Sequence, residues 1–308
     1  MKRDFLSLAD LTRIEIDEIL HLSATLKRDL KSGKRPALLG GQALAMIFEK
    51  PSLRTRVTFE VGMTQLGGTA IYLTPKDIQL GERESVADIA RNLDRWVDFI
   101  MARTFSHGTL VELAKHAAVP VINGRSDILH PCQVLSDCFT LIEKRGRLDG
   151  LHVAFVGDGN NVVNSWMNAA AHLGFSFALA CPSGYEPNEA VYGTAVKAGA
   201  KVRVTHSVQE AVTNADVIYT DVWTSMGQEA ESERRRRDFA AYQVNGDVLR
   251  HARRDVLVMH CLPAHRGEEI TGEVLDGPHS IVFDQAENRL HIQKGIMVWL
   301  NDKRPKHR

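Results

Sequence analysis

Cysteine is scarce in this chain, and its spacing is not that of a metal or redox centre. The 308 residues include 4 cysteines, at positions 132, 138, 181 and 261. No CxxC pair occurs, so neither a zinc ribbon nor a dithiol redox motif is expected. The N-terminal stretch also lacks an apolar core followed by a small-residue cleavage site, so we find no signal peptide. These absences predict a protein of the reducing cytoplasm.

An excess of charge is missing as well. The sequence has 38 basic and 38 acidic side chains, which gives a formal net charge of zero. No long-range field therefore attracts nucleic acid or an anionic membrane surface. The apolar runs are also too short for the ~18 to 20 residues that cross a bilayer. We expect neither partner, and any bound anion must be recognised by a local cluster of side chains.

Short apolar runs alternate with helical stretches along the chain. The runs that predict strands are residues 43–50, 69–74, 97–103, 119–124, 151–158, 176–182, 201–206, 216–223, 255–263 and 280–285. Such alternation predicts an α/β fold, with mainly parallel sheets flanked by helices. The chain length fits two domains of this kind.

A domain junction is predicted where a helical stretch ends in charged and glycine residues near 145–150. We expect a first domain of residues 1–147 and a second domain of residues 148–289. A C-terminal helix, about 290–308, should pack back on the first domain. Ligands of parallel α/β sheets bind at the carboxyl ends of the strands, which predicts a site in the cleft between the domains.

The stretch EKPSLRTRVTFE, Glu49–Glu60, predicts an anion site at the start of a helix. Ser52 is a good N-cap, so the next three residues lie in the first turn, where free N–H groups and the helix dipole attract an anion. The side chains of Ser52, Arg54 and Thr55 could complete a phosphate cradle. The stretch lacks GxxxxGK[ST], so it is not a nucleoside-triphosphate loop. The alternative is that Arg54 and Arg56 pair with nearby acidic residues on the helix surface.

Two other clusters follow predicted strands of the first half. MARTF places Arg103 at a strand end, and LHPCQ places His130 and Gln133 after the next strand. An arginine and a histidine there could both donate to one carbonyl oxygen. Pro131 predicts a loop-like backbone at this point. For His130 alone, a satisfied core histidine is the alternative.

The second half has motifs at strand ends too. They are GDGNN (157–161), DVWTSMG (221–227) and HCLPA (260–264). His260, Cys261 and His265 could suggest zinc, but no fourth ligand follows them in the sequence. We expect no metal site. The charge block 227–239 alternates acids and bases, which predicts a solvated helix rather than a nucleic-acid patch.

A dinucleotide-binding turn is an alternative for the glycine-containing motif. Gly157 and Gly159 follow a predicted strand, as such a turn requires. Val162 stands where that motif needs glycine, and the next strand ends at Cys181-Pro182 without an acidic ribose ligand. The motif is therefore a weak indication of a dehydrogenase.

SLRTR, MARTF, HPCQ, DVWTSMG and HCLPA occur in this order along almost the entire chain. Together they resemble the aspartate/ornithine carbamoyltransferase family, and the last two resemble its ornithine-specific members. The resemblance implies transfer of the carbamoyl group of carbamoyl phosphate to the side-chain amine of L-ornithine, giving L-citrulline and phosphate. The biosynthetic and catabolic reactions use the same residues, and we expect arginine biosynthesis only because it is the more frequent role. The resemblance also implies homotrimers or multiples of trimers that need no metal or organic cofactor.

The resemblance also implies roles for individual residues. Carbamoyl phosphate would be bound by Ser52, Leu53, Arg54, Thr55, Gln79, Arg103, His130, Gln133, Cys261, Leu262 and Arg289. Ornithine would be bound by Asn161, Asp221, Ser225 and Met226. Thr55, Arg103 and His130 would stabilise the oxyanion, and Cys261 would lie beside the attacking amine. Gln79 would come from a neighbouring subunit.

One residue departs from the family pattern. Leu53 replaces the threonine of S-T-R-T-R, at a position whose implied role is a backbone N–H. The phosphate site should therefore persist.

Other activities remain as alternatives. Aspartate would need a basic HPLPR-like loop in place of HCLPA, putrescine has no α-carboxylate, and an N-acylated ornithine has no free α-amine. A silent anion-binding protein of this fold would be expected to lack Arg103, His130 or Cys261, and all three are present.

Overall fold

A computed structural model describes residues 2–80, 83–225 and 229–304. The chain forms two compact units, of which the first ends at Phe139 and takes up the chain again at Glu287, while the second is Thr140–Ala286. The chain leaves the first unit within the helix Pro131–Arg145 and returns to it within the helix Val282–Asp302. The sequence placed these two junctions at residues 147 and 289.

The first unit is built on a parallel sheet. Its elements in chain order are α1 (Arg13–Lys31), β1 (Ala43–Phe48), α2 (Leu53–Gln65), β2 (Thr69–Leu73), α3 (Pro75–Ile78), α4 (Val86–Trp96), β3 (Phe99–Arg103), α5 (His107–His116), β4 (Val121–Arg125) and α6 (Pro131–Arg145). The 4 strands have the order β2-β1-β3-β4, and all neighbours are parallel. The order reverses between β1 and β3, which is where ligands of open α/β sheets bind.

The second unit repeats this architecture with 5 strands. Its elements are β5 (His152–Val156), α7 (Asn161–Leu173), β6 (Ser176–Ala180), α8 (Glu189–Lys197), β7 (Lys201–Thr205), α9 (Val208–Val212), β8 (Val217–Thr220), α10 (Ser232–Asp238), α11 (Gly246–Arg250), β9 (Leu257–His260), α12 (Gly272–Leu275) and the start of α13 (Val282–Asp302). The order is β7-β6-β5-β8-β9, all parallel, with the reversal between β5 and β8. The predicted α/β fold of two parallel-sheet domains is confirmed.

Strands of these sheets are buried on both faces. This explains why their apolar residues follow one another continuously instead of alternating with polar residues. Residues of β3 are all buried, as are those of β8. Helices cover both faces of a parallel sheet, so apolar side chains are favoured at successive positions. Aromatic packing adds to the second core, where the Phe155 and Tyr219 rings stack with centroids 5.3 Å apart. Among the described residues, no helix combines the length and the apolar character that a bilayer crossing requires.

The strand predicted at 280–285 is wrong, because helix α13 begins at Val282. Ile281 donates its N–H to Val258 O (3.0 Å) beside β9, so the run starts against the sheet and then turns into the helix. Apolar side chains are buried at Ile292 and Ile296 further along the same helix. A short apolar run cannot by itself distinguish a strand from a buried helical segment.

The charge block 227–239 is solvated only in part, and its first residues lie outside the described ones. Helix α10 exposes Arg234, Arg236 and Arg237, but Arg235 has only 5% of its surface exposed. The prediction of a wholly solvated helix is therefore wrong at Arg235. Charge alternation along the sequence does not reveal which side chain of a helix turns toward the core.

Lys294 on α13 is a buried cation in the first unit. It has 2% of its surface exposed, and Nζ donates to Gln65 Oε1 (2.9 Å). Burial, with a further contribution from Arg35, lowers the pKa of Lys294 to about 8. The charged form is therefore less favourable in the folded protein than in the unfolded chain at neutral pH.

We predict that Lys294→Met raises the free energy of unfolding by about 1 to 3 kcal/mol at pH 7. Between about pH 8 and the unfolded pKa of ~10.4, the unfolded chain binds more protons, so wild-type stability rises with pH. The advantage of the variant should therefore shrink at pH 10. Urea unfolding at both pH values tests this, with exposed Lys197→Met as the control. A less stable Lys294→Met at pH 7 would contradict it.

Candidate active site

The residues of the predicted anion site lie at the reversal point of the first sheet. Helix α2 begins at Leu53, directly after β1 and its short connection. Ser52 is the N-cap, and its hydroxyl oxygen accepts from the Thr55 N–H (3.4 Å). The Leu53 side chain is 73% exposed, so this position can serve an anion through its backbone N–H while the side chain lies outside the core. The replacement of threonine by leucine is compatible with this arrangement.

Arg289 of α13 joins this helix start to α6. It is 2% exposed; Nη1 donates to Gln133 Oε1 (2.5 Å) and Nη2 to Thr55 Oγ1 (3.3 Å). Gln133 in turn donates from Nε2 to Asp137 Oδ1 (2.8 Å). Three of the predicted residues, far apart in the sequence, therefore form one buried hydrogen-bonded group.

His130 lies in a strongly cationic environment within the same unit. His130 and Arg103 are each 7% exposed. Burial lowers the pKa of His130 well below its usual value, and nearby guanidinium groups lower it further. These belong to Arg289, Arg103, Arg125 and Arg54. At neutral pH the imidazole is therefore uncharged and offers one N–H donor.

The loop-like backbone predicted at Pro131 is wrong, since Pro131 is the first residue of α6. Proline suits that position because its missing N–H would have no partner in the helix and its fixed φ matches the helical value. His130 thus precedes a helix directly, and its carbonyl accepts from the Gln133 N–H (3.1 Å).

A carboxylate and a thiol meet at the reversal point of the second sheet. Asp221, which follows β8, is 8% exposed. Its Oδ1 accepts from Cys261 Sγ (3.0 Å), and its Oδ2 accepts from Asn160 Nδ2 (2.9 Å). Motifs after three different strands therefore converge here, as the topology requires.

Asn160 was missed by the sequence analysis, which named Asn161. Asn160 is the N-cap of α7, and its Oδ1 accepts from the N–H groups of Val162 and Val163. Its amide nitrogen is then directed to Asp221. The available signal was an asparagine ahead of a predicted helix, because asparagine is a preferred N-cap. Asn161 itself is the first residue of α7 and is 3% exposed.

Three further predicted residues are Ser225, Met226 and Gln79. Ser225 is half-buried in the segment after β8, and Met226 lies outside the described residues. Gln79 ends α3 with φ 47° and an exposed side chain. It follows β2 and not the reversal point.

The HCLPA turn holds Leu262 in the left-handed region, with φ 57°. His260 is 1% exposed, and its Nδ1 accepts from the Leu262 N–H (2.8 Å). Its Nε2 donates to Glu269 Oε1 (3.1 Å) in the tautomer that the Leu262 contact requires. A buried histidine therefore supports the conformation that presents Cys261 and Leu262.

Ligand atoms of Asp221, His260 and Cys261 lie within 4.8 Å of one another, a spacing that could suit a metal ion. Both ring nitrogens of His260 are already engaged by Leu262 and Glu269. A metal ion bound to His260 would have to break one of these buried hydrogen bonds. His260 is therefore better explained as a residue that stabilises the turn.

The dinucleotide alternative meets a steric obstacle at Gly159. A Cβ built on Gly159 would overlap the backbone of Tyr185, Glu186 and Pro187, which lies directly against it. In a dinucleotide-binding turn, the glycine instead allows close approach of the pyrophosphate. This glycine accommodates the protein's own chain.

The four cysteines should differ sharply in reactivity. Burial raises the pKa of Cys132 and of Cys181 to about 12, and that of Cys138 well above its usual value. Cys261 is half-buried. We predict that iodoacetamide alkylates the native protein at Cys261, and that the other three thiols react only after unfolding.

Peptide mass spectrometry of briefly treated protein measures this selectivity, with Cys261→Ser as the control. The variant should remain almost unlabelled under the same conditions. Labelling of Cys132 or Cys181 in the native protein ahead of Cys261 would contradict the arrangement.

Two family models match the chain. Residues 3–143 match the model described as "Aspartate/ornithine carbamoyltransferase, carbamoyl-P binding domain". Residues 149–300 match the model described as "Aspartate/ornithine carbamoyltransferase, Asp/Orn binding domain". Together, these two models account for most of the chain.

Individual relatives are similar over nearly their whole length. The ornithine carbamoyltransferase of Syntrophus aciditrophicus is 54% identical over 298 residues, covering 96% of this chain and 99% of the relative. The solved ornithine carbamoyltransferase of Pyrococcus furiosus is 53% identical with a TM-score of 0.93, covering 96% of each chain. The anabolic enzyme of Campylobacter jejuni is 39% identical with a TM-score of 0.93, covering 99% of this chain and 100% of that chain. The chain described above belongs to the aspartate/ornithine carbamoyltransferase family.

Proposed function

We propose that this protein transfers the carbamoyl group of carbamoyl phosphate to the side-chain amine of L-ornithine, forming L-citrulline and phosphate. The observation that supports the proposal is a pair of environments of opposite charge. The first unit offers an arginine-rich cluster around the buried His130 and the start of α2, and the second offers the buried carboxylate of Asp221. A dianionic phosphate fits the former, and an amino acid's ammonium group fits the latter.

The phosphate of carbamoyl phosphate would occupy the start of α2. Backbone N–H groups of the first turn, the Ser52 and Thr55 hydroxyls and the Arg54 guanidinium are the donors. As the carbon–oxygen bond to phosphate breaks, its electron pair moves to the phosphate oxygen, and these donors stabilise the growing charge. The departing phosphate takes up the proton that the attacking nitrogen loses. Because arginines and N–H groups meet that charge, the proposed reaction needs no metal or organic cofactor.

The carbonyl oxygen of the carbamoyl group would be met by Thr55, Arg103 and His130. Attack by the amine converts this oxygen to an oxyanion, which donors fixed in advance stabilise more than they stabilise the carbonyl. His130 suits the task as a neutral donor, because its lowered pKa keeps it uncharged through the neutral range. Arg289 holds Thr55 and Gln133 in one group, so it would orient the carbamoyl end as well as contribute charge.

Ornithine would be bound through its α groups on the second unit. We propose that Asp221 accepts from the α-ammonium, with Asn161, Ser225 and Met226 completing recognition of the α groups. This leaves the side-chain amine to attack, once it has lost the proton that it holds below its solution pKa of ~10.4. Binding both substrates makes the attack effectively unimolecular.

Cys261 and the backbone of Leu262 would lie beside the carbamoyl group and the attacking amine. Cys261 donates its S–H to Asp221, so the thiol can take a proton from the amine only after its own proton has moved to that carboxylate. We therefore propose that the first role of Cys261 is to orient the carboxylate of Asp221.

Free ornithine is favoured over related amines by the buried charge of Asp221. Putrescine has no α groups, and an N-acylated ornithine has no α-ammonium, so neither would compensate the burial of this carboxylate. The distinction needs a test, because a solved N-acetyl-L-ornithine transcarbamylase is also similar, with 31% identity and a TM-score of 0.87. The test is turnover of ornithine, putrescine, N-acetylornithine and aspartate in parallel. Preferred turnover of one of the other three would contradict the proposal.

A biosynthetic role in the cytoplasm completes the proposal. Relatives that carry the name "anabolic" support the biosynthetic direction, including the 53% identical protein of Pyrococcus furiosus. The free cysteines fit a reducing compartment.

We also propose a homotrimer or a multiple of trimers. Helix α2 exposes an apolar stripe at helical spacing, with Leu53, Val57 and Val61 exposed by 73%, 45% and 38%. Ile71 of β2 is a further exposed apolar side chain, at 46%. A second copy of the chain that covers this stripe could bring its Gln79 to the site. A sedimentation mass equal to a trimer or a multiple supports this, and a monomer at assay concentration contradicts it.

A further inference from the structure

A buried carboxylate in the segment after β9 has one oxygen that accepts no hydrogen bond. Glu269 has 0% of its surface exposed. Its Oε1 accepts from His260 Nε2 (3.1 Å) and from the His265 N–H (2.6 Å). Its Oε2 is buried as well, and it accepts no hydrogen bond among the residues that the structure describes. A buried carboxylate oxygen that has lost water without gaining a donor is costly, so a positive group beside it would stabilise the fold.

Two further ligand groups lie beside this oxygen. His265 Nδ1 is 3.8 Å from Glu269 Oε2, which is too long for a hydrogen bond. One ligand atom each of His265, Glu268 and Glu269 lies within 4.8 Å of the other two. In a tetrahedral zinc site with bonds of ~2.0 to 2.2 Å, neighbouring ligand atoms are about 3.3 to 3.6 Å apart. The His265 and Glu268 side chains are 54% and 33% exposed, so small rotations can bring them to this spacing.

A tight turn brings the three residues together. The Glu268 N–H donates to the His265 carbonyl (2.9 Å), and Gly267 between them has φ 92°. Glycine adopts such a φ without steric cost. Gln243 Nε2 donates to the carbonyls of Gly267 (2.9 Å) and Glu268 (2.8 Å), so a second segment holds the turn in place. The backbone that carries the three side chains is therefore well fixed.

The donor set indicates which ions would bind. One imidazole and two carboxylates suit zinc and similar divalent transition metals, and this group contains no thiol. Arg236 Nη2 pairs with Glu268 Oε1 (3.0 Å), and the Arg236 side chain is 57% exposed. Exposed pairs of this kind contribute little, so Arg236 would weaken the binding of a cation without preventing it.

We propose that His265, Glu268 and Glu269 bind one divalent transition-metal ion such as zinc, with a water molecule as the fourth ligand. The ion supplies the positive charge that Glu269 Oε2 lacks. Its role is structural, because Glu269 Oε1 also holds His260, and His260 accepts from the Leu262 N–H. The ion therefore stabilises the turn that begins at His260, and it takes no part in the proposed reaction.

Cobalt(II) is the first probe, because its absorption spectrum distinguishes thiolate from nitrogen and oxygen ligands. Protein that has been treated with a chelator and freed of it should bind one equivalent of cobalt. The visible d–d bands should appear without a near-ultraviolet thiolate-to-cobalt band. Zinc should displace the cobalt, and it should raise the thermal midpoint, since an ion that binds the folded state stabilises it. Cys261→Ser should bind cobalt as the wild type does, which separates this site from the thiol.

Two ligand variants and three further variants test the residues themselves by calorimetric titration with zinc. We expect His265→Ala and Glu268→Gln each to lower the affinity by at least ~10- to 100-fold, the effect that is typical even for groups that only orient a ligand. His251→Ala and Glu189→Gln change exposed side chains elsewhere in the second unit and should bind zinc as the wild type does. Arg236→Met should bind zinc up to about fivefold more tightly.

Four results would overturn the inference. They are no saturable binding of cobalt or zinc, binding that requires Cys261, an unchanged affinity in both ligand variants, and a thermal midpoint that zinc does not raise. In the first case, an ion pair between protonated His265 and Glu269 would alone account for the buried oxygen. Citrulline formation is not a readout of these experiments, so the proposed function and this inference fail independently.

Discussion

Arg54→Met is expected to lower kcat/KM for carbamoyl phosphate by ~10²- to 10³-fold, the usual effect of removing one donor to a developing charge. Arg54 lies in the first turn of α2, and its charge acts on the buried His130. The loss should appear mainly with carbamoyl phosphate, because this cluster belongs to the phosphate end of the site. Initial rates at varied carbamoyl phosphate and saturating ornithine measure it.

Arg56→Met is the matched control on the same helix. Arg56 pairs with Glu60 (3.4 Å) and lies over the Tyr72 ring, and its side chain is 47% exposed. We expect this variant to retain kcat/KM within about threefold, since exposed pairs contribute only ~0 to 1 kcal/mol. Equal losses in the two variants would mean that the anion is not held at the start of α2.

Asp221→Asn is expected to lower kcat/KM for ornithine by ~10²-fold or more, with KM for carbamoyl phosphate nearly unchanged. Asparagine keeps the shape and an acceptor oxygen, so the main loss is the desolvated charge pair with the α-ammonium, which is typically worth ~2 to 5 kcal/mol. Preference for ornithine over putrescine should fall in parallel, because only ornithine uses this charge. Turnover of both amines by the variant and wild type measures the ratio.

The exposed Asp247→Asn provides a control, since that carboxylate is 76% exposed beside Arg250. It should leave the ratio unchanged. An Asp221→Asn enzyme with wild-type preference for ornithine would remove Asp221 from the recognition of the α groups.

The sequence predicted the architecture well for a physical reason. Parallel strands buried on both faces need apolar residues at nearly every position, as in β3 and β8, and this signal is strong. It failed at 280–285, where Ile281 bonds beside β9 and the chain then enters α13. A short apolar run does not show whether the chain continues as a strand or turns into a helix.

For the candidate site, the sequence predicted which strand ends carry the residues, but not the conformations of the loops that follow those strands. The sequence placed motifs at the ends of strands, and the carboxyl ends of the neighbouring parallel strands β5, β8 and β9 bring these motifs together. Which atoms touch depends on turn conformation, and this is why Asn160 rather than Asn161 reaches Asp221. The bond from Arg289 to Gln133 joins positions far apart in the chain, and local pattern cannot reveal it.

Arg235 illustrates a second limit of sequence reasoning. Charge alternation is typical of exposed helices, and the prediction holds for Arg234, Arg236 and Arg237. One arginine of the four is buried because two strand-end segments provide a carboxylate and a carbonyl at the right distance. Such acceptors become visible only once the sheet order is known.

The proposed reaction is tested most directly by citrulline formation by the purified protein with carbamoyl phosphate and L-ornithine, beside putrescine, N-acetylornithine and aspartate as alternative acceptors. We expect efficient citrulline formation from ornithine, with the other three acceptors turned over at most weakly. Preferred turnover of another acceptor would contradict the role of Asp221, and no turnover of any acceptor by folded protein would contradict the proposed reaction itself.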